Sequence, residues 1–447
     1  MRLRLLLPRR GRGRGLGGLS PAGPVRRTAL AAVCAAALLA GCGGGDAAKP
    51  TPTPAETRSP AVAQGSARGD LVIGLTEQNP NLLWAKGAHP VPEPFGHWQD
   101  ETGKLKPAFF RLVIDWPSIQ PEEGKPANLD TPHDGCLRGT PPCASWRGVR
   151  DQLKALASRQ KEHEGGWEVL VVLSGTPEWA AREGSGCERD KTLARSRAPR
   201  PEAMGAYRQL VKDLIAAGGK AGVDLRYWSA WNEPNHPFFI SPQRNRCSPS
   251  AKSVAVDRYT ELVRELSRAL EEAPGDQQYA LGELAGLDER RAKSTSIREF
   301  LTDMPSSVVC GSTILSQHGY VGGIDPVDDA VEGAETHHCK RKPVVWMTET
   351  GVGAPRRGEE KRKTPESQRK ACRQMHRRLV KWYEDPRVTA AFQYTFREDD
   401  IFPTGLVTTS LDKPFPVLRE WQAWGGSARP RPEDPPPAQP QCSSEDQ

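Results

Sequence analysis

Acidic residues and lysines are absent from the first part of this chain. Residues 1–41 contain no Asp, Glu or Lys but eight arginines, whereas the whole 447-residue chain has a net charge of +7. Subtracting these eight charges from +7 leaves −1 for the chain beyond Gly41, which is close to neutral. A near-neutral body argues against nucleic acid or another polyanion as the partner.

Long apolar runs are also absent. The stretch Ala29–Ala40 is too short to span a bilayer comfortably, but it follows Arg26-Arg27 and precedes small residues, which is the order of an export signal. It ends in Leu39-Ala40-Gly41-Cys42, which resembles a bacterial lipoprotein signal. We expect removal of residues 1–41 and lipidation of Cys42. An ordinary secretory signal is the alternative, and the arginine pair leaves twin-arginine export open.

Cysteine pairs with metal-ligand spacing are missing as well. The sequence has no C-x-x-C pair, and its one close Cys/His grouping is His337-His338-Cys339. Without Cys34, inside the signal, and Cys42, eight of the ten cysteines remain, an even number that favours disulfides outside the cytoplasm. About a hundred connectivities are possible for eight cysteines. Proximity along the chain favours Cys136–Cys143, Cys187–Cys247, Cys310–Cys339 and Cys372–Cys442.

Composition divides the chain into four parts. Residues 42–68 are rich in Pro, Thr, Ala and Ser, cannot bury a core, and are expected to form a flexible tether. Residues 69–426 form the expected single catalytic domain. Residues 427–447 are Pro-rich and polar, and a disulfide at Cys442 would hold this tail against the body.

Apolar runs and amphipathic segments alternate through the domain. Their periodicity predicts eight strands, over residues 71–75, 109–114, 169–173, 226–230, 279–281, 313–315, 344–347 and 390–394. It predicts helices over residues 146–158, 202–217, 253–272, 297–304 and 366–384. Eight strands alternating with helices indicate an α/β fold, a (β/α)8 TIM barrel, rather than a doubly wound sheet. No Gly-rich phosphate loop follows the first strand, which argues against nucleotide binding.

Two glutamates follow strand-like runs. Glu233 lies in Trp231-Asn232-Glu233-Pro234 after the fourth run, and Glu349 lies in Thr348-Glu349-Thr350-Gly351 after the seventh. Reactive groups in such barrels sit at the carboxyl ends of strands, so both side chains are expected in one pocket. Paired carboxyl groups there suit acid-assisted cleavage of a glycosidic bond. Either glutamate alone could equally be a salt-bridge partner.

From about Leu71 to Trp424 the chain resembles the clan of retaining glycoside hydrolases built on a (β/α)8 barrel. That clan has an Asn-Glu pair on strand four and a second Glu on strand seven. The chain is most similar to families resembling β-xylosidases and bacterial exopolysaccharide glycosidases. The resemblance rests on Arg111-Leu112-Val113-Ile114-Asp115-Trp116, Pro121-Glu122-Glu123-Gly124, Thr176-Pro177-Glu178-Trp179, Trp231–Asn235, His318-Gly319-Tyr320 and Thr348–Gly351.

The resemblance implies two roles for the glutamates. Glu233 would be the general acid and then the base, and Glu349 the nucleophile, with their carboxyl groups about 5–5.5 Å apart. A general acid must hold a proton near neutral pH. We therefore expect burial and the second carboxylate to raise the pKa of Glu233.

Four further residues receive roles from the same resemblance. Arg111 would keep the nucleophile ionised, and Asn232 would bind the sugar hydroxyl beside the reacting carbon. His318 and Tyr320 are two residues apart on one strand and so face the same way. Tyr320 could donate to Glu349, while His318 either lines the sugar site or is a satisfied core histidine.

Aromatic side chains at strand ends are candidates for stacking on sugar rings. Trp179 and His236 are the two chosen as substrate-binding residues; the full set is Trp116, Trp179, Trp231, His236, Phe238 and Phe396. Members of the clan often have a Trp at the end of strand eight, where this chain has Tyr394 followed by a charged stretch at Arg397. That stretch could indicate a charged sugar or be a solvated loop.

The sequence thus predicts a glycosidase that cleaves a β-linked oligo- or polysaccharide at the outer face of a bacterial cell membrane. Carboxylates and water suffice for both steps, so no metal and no organic cofactor is expected. The expected partners are the carbohydrate and, through Cys42, the membrane, with no nucleic acid, and the chain is expected to be a monomer. The alternatives are a transglycosylase, a carbohydrate-binding envelope protein without turnover and, against the strand count, a two-lobed solute-binding lipoprotein.

Overall fold

Parallel strands alternate with helices along the chain. The structure is a computed structural model that describes residues 71–163, 165–188, 191–352, 364–399, 402–426 and 434–443. The strands are β1 (Val72–Thr76), β2 (Phe109–Asp115), β3 (Pro132–His133), β4 (Trp146–Arg147), β5 (Glu168–Ser174), β6 (Tyr227–Ser229), β7 (Gln278–Tyr279), β8 (Leu281–Leu284), β9 (Ile314–His318), β10 (Val344–Thr350) and β11 (Val388–Tyr394). The helices are α1 (Phe95–Lys104), α2 (Trp116–Ile119), α3 (Gly148–Glu162), α4 (Met204–Ala221), α5 (Val254–Glu271), α6 (Ile297–Thr302), α7 (Ser306–Val309), α8 (Val327–Glu335), α9 (Pro365–Glu384) and α10 (Val417–Ala423).

Nine of the strands form one parallel sheet that curls into a nearly closed barrel. Their order is β7-β6-β5-β2-β1-β11-β10-β9-β8. Only Ala280 separates β7 from β8, so these two short strands together take the fifth of eight positions. The remaining strands, β3 and β4, form a small antiparallel pair in the loop between β2 and α3. The predicted (β/α)8 barrel is therefore confirmed.

The strands are buried on both faces, as a parallel sheet between a filled interior and a ring of helices requires. The barrel interior is filled mainly by apolar and aromatic side chains: Val72, Phe109, Leu170, Val172, Tyr227, Ala280, Ile314, Val344, Trp346, Ala390 and Phe392. A larger apolar core packs against the outer face of the sheet. On β2 the inward alternation continues from Phe109 to Arg111, so the interior becomes polar toward the carboxyl ends of the strands.

The predicted strands and helices are all present. The predicted helix over residues 146–158 begins later, because Trp146–Arg147 pairs with Pro132–His133 before α3 starts. Periodicity did not predict α1, α2, α7, α8 or α10, which have ten residues or fewer; all but α7 also carry Gly, Pro or acidic residues that break the apolar pattern. The expected signal, tether and lipidated Cys42 lie outside the described residues.

Disulfides join neighbouring loops of the domain. The four bonds are Cys136–Cys143, Cys187–Cys247, Cys310–Cys339 and Cys372–Cys442, which confirms the pairs favoured by the sequence. The last of them holds the tail at Cys442 against α9. Four disulfides are typical of a protein outside the cytoplasm. Among the described residues, no helix is both long and apolar enough to cross a bilayer.

Gly74 tests the packing of the barrel interior. A Cβ at this position would lie 2.3 Å from Cδ1 of Phe392, which fills the space next to β1. We expect Gly74→Ala to lower the free energy of unfolding by about 1–3 kcal/mol, because the ring must move within a packed core. Gly205→Ala on α4 is the control, since its Cβ meets nothing within 4 Å, and alanine there should stabilise by about 0.5–1 kcal/mol. Equal urea midpoints for the two variants would contradict this prediction.

Candidate active site

Three glutamates reach the polar end of the barrel through irregular backbone. Glu233 follows β6 with φ of 40°, and Glu283 lies in β8 with φ of 54°, both in the left-handed region. Simple alternation would turn Glu349 outward, because Trp346 faces the interior, but the register shifts between Met347 and Glu349. A left-handed non-glycine residue costs of order 1–3 kcal/mol and is typical of functional sites.

Arg111 joins two of these carboxylates from the floor of the site. It is 1% exposed and donates from Nε (2.9 Å) and Nη2 (2.6 Å) to Oε2 of Glu283. Its Nη1 lies 3.1 Å from Oε2 of Glu349. Nη2 also donates to Oδ1 of Asn232 at 2.6 Å. The buried guanidinium thus supplies positive charge to both carboxylates, which in turn raise the pKa of Arg111 despite its burial.

His318 lies at the end of β9 between all three carboxylates. Its Nδ1 is 2.9 Å from Oε1 of Glu233 and 3.5 Å from Oε2 of Glu349. Its Nε2 is 3.0 Å from Oε2 of Glu283. Both ring nitrogens therefore face carboxylate oxygens, an arrangement that an imidazolium, with two N–H groups, satisfies fully. Burial opposes this charge, but the three carboxylates raise the pKa of His318 to about 10.

The pKa of Glu233 differs from the prediction. Burial does favour the protonated carboxyl group, but the hydrogen bond and charge of His318 outweigh it, so the pKa of Glu233 lies below its ordinary value. The expected increase was wrong because the partner of Glu233 is a cation, whereas only the second carboxylate was considered. Burial likewise acts against ionisation of Glu283, yet Arg111 and His318 hold the pKa of Glu283 well below its usual range.

Tyrosine hydroxyl groups line the other side of Glu349. Tyr320 donates to Oε1 of Glu349, the contact expected from the sequence. Burial, followed by the charge of Glu349, raises the pKa of both Tyr320 and Tyr394, so both hydroxyl groups keep their protons. Tyr394 ends β11, and its ring and that of Tyr320 both pack edge-on against Phe402.

The two aromatic side chains chosen as substrate-binding residues lie in the loops after β5 and β6. Trp179 follows β5, contacts Trp116 edge-on and donates from its indole nitrogen to the carbonyl of Gln120. His236 is half-buried, packs against Phe238, which is 56% exposed, and is near enough for its charge to lower the pKa of Glu233.

The surroundings of Arg397 match neither a site for a charged sugar nor a solvated loop, the two interpretations of this charged stretch. Arg397 is 4% exposed, and its guanidinium donates to the carbonyl oxygens of Thr140, Pro142 and Thr409. It therefore neither faces a charged sugar nor lies in a solvated loop, because these carbonyl groups hold it between two segments of chain.

Glu283 is the residue of the site that the sequence analysis missed. Strand periodicity places it on the outer face, since Ala280 and Gly282 alternate inward, and a register shift between Gly282 and Leu284 reverses that position. A signal was nevertheless present. Glu283 is the single charge in the apolar run from Tyr279 to Leu287, and it follows a glycine.

Oxygen and nitrogen atoms of Glu233, His318 and Glu349 lie within 4.8 Å of one another, which raises the question of a metal ion. A histidine ligand needs a nitrogen lone pair, and neutral imidazole has only one nitrogen without hydrogen. Because both nitrogens of His318 lie against carboxylates, the group fits a hydrogen-bonded cluster better than a set of metal ligands.

Solved structures share this fold across most of the chain. A glucosidase from Croceicoccus marinus has a TM-score of 0.51 at 12% identity, covering 81% of this chain and 69% of its own. The endo-beta1,6-glucanase BT3312 has a TM-score of 0.52 at 9% identity, with 79% and 74% covered. SrfJ from Salmonella typhimurium has a TM-score of 0.50 at 9% identity, with the same coverage. No protein-family model and no curated protein sequence matches the chain. At these identities the likeness shows the fold.

Removing the buried cation should destabilise the domain. We expect Arg111→Met to lower the free energy of unfolding by about 3–5 kcal/mol, because two carboxylates lose their counter-charge in a buried site. The control is Arg291→Met, whose exposed pair with Glu289 is expected to contribute less than about 1 kcal/mol. Urea unfolding followed by tryptophan fluorescence measures both. A loss for Arg111→Met no larger than that of the control would contradict the prediction.

Proposed function

We propose that this protein is a retaining glycoside hydrolase that uses Glu349 as nucleophile and Glu233 as acid and base. The observation that carries the proposal is the reach of the two carboxylates toward each other, with one oxygen from each within 4.8 Å. Their side chains are 10% and 18% exposed, so both are accessible from solvent. Glu283 is fully buried and cannot touch a substrate.

The proximity of the two carboxyl groups supports retention. Retaining enzymes place their carboxyl groups about 5–5.5 Å apart, whereas inverting enzymes need about 6.5–9.5 Å to hold a water molecule between carboxylate and sugar. One oxygen of Glu233 lies within 4.8 Å of one oxygen of Glu349, which favours the closer, retaining arrangement. Glu349 would therefore attack the anomeric carbon itself, and water would release the sugar in a second step.

The neighbours of Glu349 suit a nucleophile. The guanidinium of Arg111 and the hydroxyl of Tyr320 hold its two oxygens on different sides. Asn232 turns its oxygen to Arg111, which can only donate, so its amide N–H groups are directed elsewhere. We assign these N–H groups to the sugar hydroxyl beside the reacting carbon, a contact that strengthens in the transition state.

The substrate is proposed to be a β-linked oligo- or polysaccharide. The exposed ring of Phe238 beside His236 offers a stacking surface at the mouth of the site, and the disulfide Cys187–Cys247 joins the long loops after β5 and β6 there. The names of the glucosidase and the glucanase that share the fold agree with a carbohydrate substrate. Transfer of the glycosyl group to a second sugar instead of water is the other outcome that the same pair of carboxylates allows.

Azide tests the two roles. On aryl β-glycosides we expect Glu349→Gly to lose at least about 100-fold in rate and, with azide, to form a glycosyl azide of inverted configuration. Glu233→Ala with azide should give the retained product, mainly from substrates with good leaving groups. NMR of the products identifies the configuration. Glu272→Ala, at an exposed glutamate directly after α5 that pairs with Lys212, is the control and should behave as wild type. Full activity in either site variant would refute the assignment.

We further propose that Cys42 carries a lipid that anchors the protein at the outer face of the cell membrane. The support is the Leu39-Ala40-Gly41-Cys42 pattern, together with the disulfides of the domain.

Fractionation of cells tests the anchor. We expect Cys42→Ser to move the protein from the membrane fraction to the soluble exported fraction and to abolish labelling by radioactive fatty acid, because the thiol is the site of lipidation. Cys34→Ser, inside the proposed signal, is the control and should remain at the membrane. Retention of Cys42→Ser in the membrane fraction, with label, would exclude this site.

A further inference from the structure

Glu283 has no contact with solvent, and its carboxylate makes four side-chain hydrogen bonds. Oε2 accepts hydrogen bonds from Nε and Nη2 of Arg111 and faces Nε2 of His318. Oε1 accepts a hydrogen bond from the hydroxyl of Ser316. A buried carboxylate is expensive unless it is paired and hydrogen-bonded. Its position below the reacting pair, with 0% exposure, indicates that it acts through His318 and not on a substrate.

His318 needs a proton that the proposed mechanism also needs. A neutral imidazole has one N–H and could donate to Glu233 or to Glu283, leaving the other carboxylate against a lone pair. With a second proton it donates to both. The groups that face this imidazole or act on its partners are Arg111, Glu233, His236, Glu283, Tyr320, Glu349 and Tyr394. Three of these are carboxylates and they outnumber the nearby cations, which favours the protonated ring.

We propose that Glu283 is a positioning residue that keeps His318 protonated, so that the proton which Glu233 gives to the leaving group is held on His318 in the free protein. This inference rests on the proposed function. On substrate binding the proton passes from Nδ1 of His318 to Oε1 of Glu233 across their 2.9 Å hydrogen bond. Glu233 then transfers it to the glycosidic oxygen as the bond to the anomeric carbon breaks and Glu349 forms the new one.

The second step reverses the transfer. In the glycosyl-enzyme Glu233 is ionised, His318 is neutral and Glu349 is esterified. Glu233 takes a proton from the attacking water, the ester bond to Glu349 breaks, and the proton returns to Nδ1 of His318. The sum of charges on Arg111, Glu233, Glu283, His318 and Glu349 is −1 in the free, protonated-acid and glycosyl states alike. A constant net charge avoids a change of buried charge during the reaction, which would be costly in a low-dielectric site.

NMR of the histidine side chains tests this assignment without any substrate. In wild type, the imidazole of His318, identified by comparison with His318→Gln, should carry protons on both nitrogens at neutral pH and lose one only as the pH approaches about 10. Glu283→Gln preserves the shape but removes the charge, and should lower this transition by about one to three pH units. Glu283→Asp keeps the charge, so the transition of His318 should return most of the way to its wild-type pH.

The matched control is Glu420→Gln. Glu420 is also fully buried and its Oε1 lies 2.8 Å from Nδ1 of a histidine, His376, but it lies on α10, away from the site. Its substitution should leave the titration of His318 unchanged.

Kinetics gives the second readout. The alkaline limb of kcat/KM on an aryl glycoside should move to lower pH in Glu283→Gln by the same shift as the NMR transition, and should not move in Glu420→Gln. A neutral His318 in wild type at pH 7, or a transition in Glu283→Gln no lower than in the control, would overturn the proposal. Where Glu283→Gln fails to fold, the wild-type titration still tests whether His318 holds the proton. If His318 is protonated but the protein cleaves no glycoside, the proposed function is refuted, while the protonation of His318 still stands.

Discussion

The centre of the barrel depends on the ion pairs that the guanidinium of Arg111 makes with buried carboxylates. The guanidinium lies among Glu283, Glu349 and Asn232, at a depth where an unpaired carboxylate would take up a proton. With His318 it balances most of the charge of the three glutamates, so that carboxylates from strand positions four, five and seven can approach one another. Without that positive charge, the repulsion among them would favour solvent-exposed positions.

Regular structure and site geometry follow different rules in this chain. The eight apolar runs were sufficient to predict the barrel, because a parallel strand that is buried on both faces has a nearly continuous apolar sequence. The residues at the site occupy places where that regularity fails, namely the left-handed residues Glu233 and Glu283 and the register shift before Glu349. Glu233 and Glu349 could be predicted because their motifs resemble those of a known clan. Glu283 was missed because alternation assigns it to the wrong face, although it is the single charge in an apolar run.

Electrostatics was the least predictable property. Burial alone would raise the pKa of Glu233, but the imidazole of His318, 2.9 Å away, lowers it, so the outcome depends on where this one side chain lies. Spacing along a chain does not resolve such differences. The same is true of Arg397, whose charge looked available in the sequence but is fully used by backbone carbonyl groups.

The burial of Glu283 also has a use in comparing genomes. Because it is hidden below the substrate, selection for a different sugar has no direct reason to change it, whereas the rim residues are free to diverge. Gly282-Glu283 with Ser316-Gln317-His318 is thus a short signature that can be searched for in other barrels. This signature would group barrels that hold a proton on the same buried histidine, whatever sugar they cleave.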